Sequence, residues 1–523
     1  MMNRLSVLLS LLVLACKPAP QTTGNVIPAP SHPAAVLNGE TGATLTWQHA
    51  DGSVAGYYVF LQKGAKPVDK TGPEATSYAF RDLAPGTAYT FGVQAIGTES
   101  NSLSPVVYAE PLFVPIPQDP DELPEISDIK TSYAYLAATW KVVKALEKDA
   151  EAGLCWSGDH DPTLADAHLA GPAWQAGKDI LQVIPNAVLD PGKTYRIRAY
   201  VRYADKTLYG AVREAALEAQ PEPIPLTWQK IASPASGIEV YETTAPLQGR
   251  KFHAWYAVAD CRGDIEFRVL NPTGKQTLEQ QAATSGDCYV LINGGIYGTK
   301  HIGVVIADGT PQAWRDEVDG CYWAYDSKLY SVTRGFFGVD RSGKPAAGWT
   351  SAPSENSIYF YPQPLPTVMA EAAYPLTTSS MPCKPSSWTP WQAISTGPLV
   401  LHDGKVTVDR SQTAKGYYYT NYDLWPEDVF PTHPDRTAVG CTADGKIVLF
   451  ICDGRLAAES QGAYLDELAR IMKGLGCTEA LNLDGGGSTA MIVGGNRLNS
   501  KAEDGKEPYN RPVLSTLGFF RKR

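Results

Sequence analysis

The sequence has no hydrophobic run long enough to cross a membrane as a helix. Its longest apolar run, from Leu5 to Ala15, is shorter than the roughly 20 residues that a helix needs to span the hydrocarbon core. The run follows Arg4 and ends at Cys16, which is the layout of a secretory signal. We therefore expect an exported protein rather than one that is integral to a membrane.

The sequence also lacks an excess of positive charge. It has 45 Lys and Arg residues against 55 Asp and Glu residues, a formal net charge of −10, and no long basic cluster. Because nucleic acids attract proteins mainly through their phosphate charge, a nucleic-acid partner is not expected.

The motifs that bind common cofactors are missing. The dinucleotide pattern GxGxxG, the complete Walker pattern GxxxxGK[ST], CxxC and the His and Cys spacings of zinc sites are all absent. No loop of the EF-hand type is present either. We therefore expect no required cofactor and no catalytic metal. A structural calcium ion, held by Asp and carbonyl oxygens, is left open.

The residues around Cys16 resemble the lipidation site of bacterial lipoproteins. Leu14-Ala15 precedes Cys16, and a polar stretch with Pro18 and Pro20 follows it up to Gly24. We interpret residues 1–24 as a lipoprotein signal and tether with lipidation at Cys16. The alternative is a plain secretory signal with a chance cysteine. The expected location is the bacterial cell envelope, on the outer membrane or cell surface, with the lipid as the only membrane contact.

Eight cysteines remain after Cys16, and seven of them lie between Cys261 and Cys477. An odd number cannot all pair within that region, so we expect one or two disulfides at most in an oxidising compartment. Cys452 and Cys477 lie in apolar runs, where we expect them to pack as small hydrophobic groups.

Residues 27–115 have the alternating pattern of an all-β module. Trp47 lies in an early strand, and Leu83–Tyr89 reads Leu-Ala-Pro-Gly-Thr-Ala-Tyr. These features resemble the fibronectin type III family. Residues 125–222 repeat them more loosely, with Trp140 and Leu189–Tyr195, and predict a second sandwich with a longer central insertion. Such modules usually space or bind, and Pro-rich linkers at residues 111–124 and 221–225 follow the two modules.

From about residue 226 the pattern changes to mixed α and β, which predicts an α/β (α+β) catalytic domain with a mixed sheet over residues 226–523. An apolar strand at Ile447–Cys452 is followed by a helix that Ser460 would cap, and then by a strand at Glu479–Leu483. A strand–helix–strand unit of this length predicts a parallel crossover. Asp453 and Asp484 would then lie at the same edge of the sheet.

The glycine-rich segment after the second of these strands is the strongest candidate for a site. Asp484 is followed by three glycines and two hydroxyl residues. Because glycines have no Cβ, consecutive N–H groups can converge on an anion. A strand pattern follows instead of a helix, so a nucleotide loop is not expected. A plain turn between strands is the alternative. The predicted anion cradle consists of Gly485, Gly486, Gly487 and Ser488.

Further candidates lie at other strand ends and turns. Asp453 and Asp484 form a carboxylate pair for acid, base or nucleophilic chemistry, unless both only cap turns. Arg436 is a candidate phosphate ligand and His433 a candidate proton carrier. The predicted substrate contacts are Asn293, Gly294, Tyr297 and Thr396. For Asn293 the alternative role is to orient a carboxylate.

In this order, these motifs resemble the phosphodiester glycosidase family over about residues 250–520. They are Asn293-Gly294-Gly295, Ser395-Thr396-Gly397-Pro398, His433–Ala438, Asp453-Gly454-Arg455, Asn482–Ser488 and Arg511-Pro512-Val513. The resemblance implies hydrolysis of a sugar-1-phosphodiester at the glycosidic carbon, with Asp484 and its glycine turn at the core of the site. The other candidates would surround that core. In many bacterial relatives His-Pro-Arg is continuous, whereas Asp435 interrupts it here.

The sequence therefore predicts an envelope enzyme that releases a sugar and a phosphomonoester from a carbohydrate phosphodiester. Two alternatives stay open. One is a glycan-binding surface lipoprotein without activity, which the fibronectin-like modules would also fit. The other is a phosphodiesterase that cuts the P–O bond of a sugar-phosphate polymer.

Overall fold

The computed structural model describes most of the chain after the N-terminal segment. The described residues are 27–39, 41–84, 87–100, 102–114, 123–143, 150–171, 176–203, 206–314, 322–325, 328–331, 333–354, 356–365, 368–370, 384–410, 413–414, 417–418, 434–456, 458–499 and 510–523. Cys16 and His433, two predicted functional residues, lie outside them. The chain divides into two compact units, Met1–Pro120 and Asp121–Arg523.

The first unit is a β-sandwich of nine short strands. They are β1 (Ser31–Leu37), β2 (Ala43–Gln48), β3 (Val54–Phe60), β4 (Asp69–Thr71), β5 (Ser77–Phe80), β6 (Thr87–Tyr89), β7 (Gly92–Gly97), β8 (Val107–Tyr108) and β9 (Leu112–Val114). Sheets β1-β2-β5 and β4-β3-β7-β8 face each other across a core that includes Trp47, Tyr57 and Phe91. The Tyr89 hydroxyl accepts a hydrogen bond from the Ala84 N–H at 2.9 Å, which is a tyrosine corner.

The second unit begins with another pair of sheets. Their strands are β10 (Pro124–Thr131), β11 (Tyr135–Val142), β12 (Glu151–Ser157), β13 (Ala167–Ala170), β14 (Ile180–Pro185), β15 (Thr194–Tyr203), β16 (Lys206–Tyr209) and β17 (Arg213–Ala216). Trp140 lies in their common core and donates from its indole N–H to Gln182 Oε1 at 3.0 Å. The Tyr195 hydroxyl accepts from the Asp190 N–H at 2.7 Å, so this sandwich has a tyrosine corner too.

The rest of the second unit is built mainly from strands. They are β18 (Gln229–Ala232), β19 (Ile238–Thr243), β20 (Ala254–Ala259), β21 (Ile265–Leu270), β22 (Cys288–Asn293), β23 (Val305–Ala307), β24 (Thr310–Ala313), β25 (Tyr322–Tyr325), β26 (Lys328–Ser331), β27 (Arg334–Val339), β28 (Pro345–Ser354), β29 (Ser357–Tyr361), β30 (Val368–Ala370), β31 (Gln392–Thr396), β32 (Leu399–His402), β33 (Lys405–Val406), β34 (Thr413–Ala414), β35 (Tyr417–Tyr418), β36 (Arg436–Thr442), β37 (Ile447–Cys452), β38 (Cys477–Asn482), β39 (Met491–Val493), β40 (Asn496–Arg497) and β41 (Thr516–Arg521). Two α-helices are described, α1 (Leu278–Ser285) and α2 (Leu465–Gly474).

Three sheets enclose the core of this region. An eight-stranded sheet has the order β18-β19-β20-β37-β36-β38-β32-β33, and its inner face packs against the sheets β21-β41-β22-β39-β40 and β24-β23-β31-β27-β28-β29. Its outer face packs against α2. Every strand pair recorded among the described residues is antiparallel. The region is therefore mainly β with few helices, and the prediction of an α/β mixed sheet is wrong in this respect.

The predicted crossover is present, but its two strands are not neighbours. β36 pairs antiparallel with β37 on one side and with β38 on the other, so β37 and β38 run in the same direction with β36 between them. Asp453 and Asp484 therefore follow the ends of two strands at one edge of the sheet, as the sequence predicted. The start of β36 lies between them at that edge.

The predicted cap of α2 is wrong. The helix begins at Leu465, and its N-cap is Tyr464, whose N–H donates to Glu467 Oε2 at 3.0 Å. Ser460 lies earlier, where its hydroxyl donates to the Asp453 carbonyl at 2.6 Å. It therefore stabilises the loop after β37 instead. The helix ends at Gly474, and Gly476 follows with a φ of 84°, as expected for a glycine stop.

The second sandwich is docked on the edge strand of the eight-stranded sheet. Val406 in β33 donates its N–H to Gln220 Oε1 at 2.5 Å, and its carbonyl accepts from Asn186 Nδ2 at 2.7 Å. The Tyr133 hydroxyl donates to the Val408 carbonyl at 3.1 Å. These bonds satisfy backbone groups that an edge strand would otherwise leave open, so the second sandwich is more than a spacer.

We expect the double substitution Asn186→Ala and Gln220→Ala to destabilise the second unit. Both side chains bond to the backbone of Val406, and each lost bond to a buried group costs about 1 to 3 kcal/mol. The measurement is the midpoint of urea unfolding, followed by the fluorescence of the buried tryptophans. A control pair of partly buried glutamines in the first unit, Gln62→Ala and Gln94→Ala, removes side-chain hydrogen bonds there and should leave the transition of the second unit unchanged. An unchanged midpoint in the double variant would contradict the docking role.

None of the helices that the structure describes is both long and apolar enough to span a bilayer. The cysteines within the described ranges are unpaired, namely Cys155, Cys261, Cys288, Cys441, Cys452 and Cys477. Cys452 and Cys477 are buried in the apolar layer between the eight-stranded sheet and α2, as predicted. Cys321 and Cys383 lie outside the described residues.

Candidate active site

Three strand ends and one strand start meet at a single edge of the eight-stranded sheet. In the register of β36, Arg436 pairs with Cys452 and Ala438 pairs with Asn482. Asp453 and Asp484 therefore follow directly on either side of the start of β36. Across the core, β22 ends at Asn293, which joins the same group of residues.

Asp484 lies at the bottom of this group, enclosed by protein but still partly exposed to solvent. The Gly485 N–H donates to Asp484 Oδ1 at 3.0 Å, and the Asp484 N–H donates to the Gly294 carbonyl at 3.1 Å. Burial raises the pKa of the Asp484 carboxyl from 3.8 to about 6, while Ser488, Arg511 and the Gly485 N–H act in the opposite direction. Burial therefore disfavours the negative charge of the carboxylate, and the nearby donors offset part of this effect.

Those donors indicate that the ionised form of Asp484 is the one that the site is built to hold. The Gly485 N–H, the Ser488 hydroxyl and Arg511 each stabilise a carboxylate rather than a carboxylic acid. The Ser488 hydroxyl is buried beside Asp484, where it lowers the pKa of that carboxyl, and it has no other hydrogen-bond partner among the described residues.

The glycine turn does not form the anion cradle that the sequence predicted. Gly486 N–H donates to the Asp435 carbonyl at 3.0 Å, and Ser488 N–H donates to the Gly485 carbonyl at 3.1 Å. Gly485 N–H is bound by Asp484 itself. Three of the expected donors are thus engaged within the protein, because residues Gly486–Ser488 form a single 3-10 turn. The prediction that these amides hold phosphate is therefore wrong for these residues.

The glycines are needed for close packing instead. A Cβ on Gly485 would lie 2.6 Å from the Asp435 carbonyl oxygen. Gly486 has a φ of 57°, and a Cβ on it would lie 3.3 Å from Arg455 Nη2. Gly487 is buried beneath the same turn. The turn can therefore lie directly against Asp435 before β36 and against Arg455 after β37.

Asn293 orients the Asp484 loop and is not a contact for substrate. The residue is fully buried, its Nδ2 donates to the Asp484 carbonyl at 2.6 Å, and its Oδ1 accepts from Thr437 Oγ1 at 2.8 Å and from Ala490 N–H at 3.2 Å. Of the two roles predicted, orientation is the one that this geometry fits. The role of a direct sugar contact is corrected, because no part of the amide reaches solvent.

Asp453 is buried on the other side of the glycine turn. Its carboxylate Oδ1 accepts from Asn499 Nδ2 at 3.4 Å, and the same amide donates to the Thr489 carbonyl at 2.8 Å. Its backbone N–H donates to the His253 carbonyl at 3.0 Å. Asp453 therefore belongs to the site, where Asn499 connects it to the residue that follows the glycine turn.

Asp435 is the most connected residue that the sequence reasoning did not select. It is fully buried, its Oδ1 accepts from Gly454 N–H at 2.9 Å, and its Oδ2 lies 3.1 Å from Arg455 Nε. Its backbone carbonyl accepts from Gly486 N–H. One residue thus ties the start of β36 to the loops after β37 and β38. The only sequence signal was its position inside the His433–Ala438 motif.

Arg455 is the exposed cation of the site. Its φ of 57° is unusual for a residue with a side chain, and such strained residues concentrate at functional sites. The ion pair with Asp435 uses Nε and directs the guanidinium toward the glycine turn, where Nη2 lies near Gly486. Arg511 adds a second positive charge that acts on Asp484. The sequence showed both arginines in motifs but suggested no role for either.

The structure places the Arg436 side chain away from the candidate site, so it does not make the predicted phosphate contact there. Alternation along β36 directs Thr437 to the Asn293 side and Arg436 to the opposite face, beneath α2. There Arg436 is 3% exposed and donates from Nε to the Ala463 carbonyl at 3.0 Å. Burial lowers the pKa of Arg436 to about 10. We therefore correct the predicted role: Arg436 stabilises the approach to α2, and Arg455 is the arginine at the site.

The remaining predicted residues line or support the site. Thr396 is fully buried and accepts from the Ile296 N–H at 3.1 Å, so it also supports the site from within. Gly294 packs against Ser515, where a Cβ would lie 2.3 Å from the Ser515 hydroxyl. The Tyr297 hydroxyl donates to the Pro512 carbonyl at 2.8 Å. Tyr297 therefore fixes the segment that carries Arg511.

A separate group of His402, Asp403 and Glu479 has the composition of a metal site, but its geometry is that of an ion pair. His402 Nδ1 lies 2.8 Å from Glu479 Oε2, and Nε2 lies 3.2 Å from the Pro362 carbonyl. Both ring nitrogens thus face acceptors, and Glu479 raises the pKa of His402 although burial opposes this. A protonated imidazole has no lone pair for a metal.

We expect activity to rise with pH through about 6. Asp484 has a pKa of about 6, and its donors favour the carboxylate, so the active fraction should increase as this group loses its proton. The measurement is the pH profile of kcat/KM between pH 4.5 and 8.5. A profile that instead falls above pH 6 would assign the protonated form to catalysis. As a control, Asp264→Asn at an exposed position outside the site should leave the profile unchanged.

The features described so far are common at hydrolytic and group-transfer sites that bind anionic substrates. A partly exposed carboxyl with a raised pKa lies on a tight turn at a sheet edge, next to two arginines. Residues 287–520 match the phosphodiester glycosidase family, and residues 28–110 match the fibronectin type III domain. The chain thus carries a phosphodiester glycosidase domain with an N-terminal fibronectin type III domain, which confirms both resemblances.

The chain is also similar to individual proteins. It is 40% identical over 60 residues to the N-acetylglucosamine-1-phosphodiester alpha-N-acetylglucosaminidase of Mus musculus, a match that spans 12% of this chain and 11% of the mouse enzyme. The catalytic domain of the zebrafish enzyme, solved auto-inhibited by its pro-peptide, has a TM-score of 0.38 at 21% identity, and the match covers 57% of this chain and 89% of that domain. A hypothetical protein from Synechocystis has a TM-score of 0.37 at 13% identity, and the match covers 95% of this chain and 100% of that protein.

Proposed function

We propose that this protein hydrolyses the glycosidic bond of a sugar-1-phosphodiester, releasing the sugar and a phosphomonoester. The observation that supports this most is the position of two arginines beside the partly exposed Asp484 carboxyl at one sheet edge. Arg511 acts on the carboxyl itself, and Arg455 Nη2 lies beside Gly486 in the turn that follows it. Arginine matches the geometry of phosphate oxygens. The family to which residues 287–520 belong acts on substrates with this linkage.

In the proposed reaction the arginines bind the phosphate while Asp484 acts at the anomeric carbon. The bond between that carbon and the phosphate oxygen breaks, and its electron pair leaves with the phosphomonoester. A hydroxyl from water joins the anomeric carbon, and the remaining proton passes to a carboxylate or to solvent. Because the phosphate is a good leaving group, the site needs no strong general acid.

Asp484 performs either of two roles in this scheme, as a base that activates water or as a nucleophile that forms a glycosyl ester. Asp453 lies across the glycine turn and contributes a second carboxylate that stabilises positive charge on the sugar ring. His433, the first residue of the His433–Ala438 motif, stays a proposed proton carrier. Both roles of Asp484 require its ionised form.

The test of the function is product analysis with a defined substrate. Purified protein is incubated with the methyl phosphodiester of α-N-acetylglucosamine 1-phosphate, and the products are separated by anion-exchange chromatography. We expect free N-acetylglucosamine and methyl phosphate. Sugar 1-phosphate and methanol would instead indicate cleavage on the other side of phosphorus and would exclude the proposed reaction. The corresponding glucose and mannose esters test which sugar is preferred.

We also propose that the enzyme works in the bacterial cell envelope, attached through Cys16. The support is the apolar run from Leu5 to Ala15 that ends at Leu14-Ala15-Cys16. In a bacterial host, Cys16→Ala should move the protein from the detergent phase to the aqueous phase of a phase-partition assay. A wild-type protein that already partitions into the aqueous phase would exclude the anchor.

A further inference from the structure

A groove of about 690 Å³ lies on the outer face of the eight-stranded sheet, at the end opposite to the candidate active site. It is bordered by β18, β19, β20 and the turn between β36 and β37, with Leu475 at the end of α2 on one side. None of its lining residues belongs to the site described above. Its volume falls within the usual range of small-molecule sites, about 300 to 1,000 Å³.

Two tyrosines form an aromatic wall of this groove. The rings of Tyr241 and Tyr256 stack in parallel, with centroids 4.7 Å apart and an interplanar angle of 9°. Trp228 packs edge-on against Tyr256 at 4.7 Å. Both tyrosines are partly exposed where they line the groove. The wall is therefore rigid before any ligand arrives, which lowers the entropy cost of binding.

Hydrogen bonds hold the polar groups of the groove in place. The Tyr241 hydroxyl donates to Glu239 Oε2 at 2.8 Å, and Lys230 Nζ donates to Glu239 Oε1 at 2.6 Å. On the opposite wall, Lys446 Nζ lies 3.1 Å from Asp444 Oδ2. Each of these cations is paired with a carboxylate, and Asp260, which also lines the groove, pairs with Arg262. The groove therefore has many donors and acceptors but, among its described lining residues, no unpaired charge that would favour an ion.

We propose that this groove is a second, non-catalytic binding site for a neutral saccharide. A sugar ring presents C–H groups to an aromatic face and hydroxyls to paired carboxylates and ammonium groups, and this groove offers both. The proposal rests on the proposed function in one respect only: the saccharide would belong to the same glycan that the active site cleaves.

The position of the groove suggests what such binding achieves. β20 runs from Ala254, which pairs with Cys452 beside Asp453, to Ala259, which pairs with Ile447 at the groove. At about 3.3 Å per residue the two ends lie roughly 17 Å apart. A glycan chain held in the groove would therefore raise the local concentration of its own phosphodiester linkages near Asp484.

The test measures saccharide binding and catalysis separately. The probes are the N-acetylglucosamine trimer and the glucose trimer, and binding is followed by saturation-transfer NMR with the Asp484→Asn protein. We expect at least one trimer to bind and Tyr241→Ala to weaken it by about tenfold. Ser236→Trp, which fills the groove from an exposed position, should do the same without removing a buried contact.

The outcomes distinguish this proposal from the catalytic one. Tyr241→Ala and Ser236→Trp, each in an otherwise wild-type protein, should turn over the small methyl phosphodiester within about twofold of wild type. Absence of binding by both trimers, or equal binding by both variants and the parent, would overturn the groove as a saccharide site. Inactivity of the wild-type protein would instead count against the proposed function, and trimer binding alone would then decide whether the groove is a saccharide site. If Tyr241→Ala does not fold, Ser236→Trp decides.

Discussion

Asp484→Asn is expected to lower kcat by about 10³-fold or more, the largest effect of any substitution described here. Asparagine keeps the shape of the side chain but supplies neither a proton acceptor nor a nucleophile. Loss of a positioned acid or base typically costs 10² to 10⁴ in rate. The measurement is release of sugar from the methyl phosphodiester under single-turnover conditions. Turnover like that of wild type would show that Asp484 only shapes the turn.

The stability of the same variant separates a chemical effect from misfolding. Because the pKa of Asp484 in the folded protein, about 6, lies above its ordinary value of 3.8, the ionised carboxyl destabilises the folded state at pH 7.5. This penalty decreases as the pH falls from about 6 and is gone once the pH lies below the ordinary value of 3.8. We therefore expect Asp484→Asn to have a thermal midpoint equal to or above that of wild type at pH 7.5, with the difference shrinking by pH 5. Asp264→Asn, at an exposed position, is the matched control for both measurements.

Arg455→Ala is expected to lower kcat/KM by about 100-fold. Charged hydrogen bonds to a phosphate contribute about 1.5 to 3 kcal/mol, and Arg455 is the exposed arginine directed toward the glycine turn. Arg455→Lys should recover only part of the loss, because lysine is a point charge without the planar fork. Inorganic phosphate should inhibit wild type but not Arg455→Ala. The control is Arg521→Ala, an exposed arginine on β41, which should behave like wild type.

Asp435→Asn tests how Arg455 is positioned. The substitution keeps an acceptor for the Gly454 N–H but removes the charge that faces Arg455 Nε. We expect KM to rise more than kcat falls, because the arginine remains present but is less well ordered. A variant in which both parameters stay unchanged would show that the backbone of Arg455, rather than its ion pair, sets its direction.

The sequence predicted which strand ends meet, because the relevant signal is local. The lengths of the apolar run at Ile447–Cys452, of the helix and of the following strand were enough to place Asp453 and Asp484 at one edge. The insertion of β36 between the two strands was not predictable. It depends on pairing between residues distant in sequence, because the short turn that follows β36 fixes only one of its two partners, β37.

The prediction that Arg436 contacts phosphate was wrong for a related reason. Strand β36 is buried on both faces, so its sequence has no alternation of polar and apolar residues to show which side chains face the site. The roles of Asp435 and Arg455 were hidden as well, since their contact joins residues 20 positions apart. The glycine-rich segment fits the alternative of a plain turn better than the predicted anion cradle, because three of its four N–H groups bind protein.

The most direct test of the central claim is hydrolysis of the methyl phosphodiester in water enriched in heavy oxygen. Attack at the anomeric carbon, as the positions of Asp484 and the arginines indicate, places the label in the released sugar. The sugar is analysed before its anomeric oxygen exchanges with solvent through the open-chain form. The methyl phosphate does not exchange and, by mass spectrometry, should carry no label. Label in the phosphate and not in the sugar would contradict the account, because it would mean that the enzyme breaks the P–O bond as a phosphodiesterase.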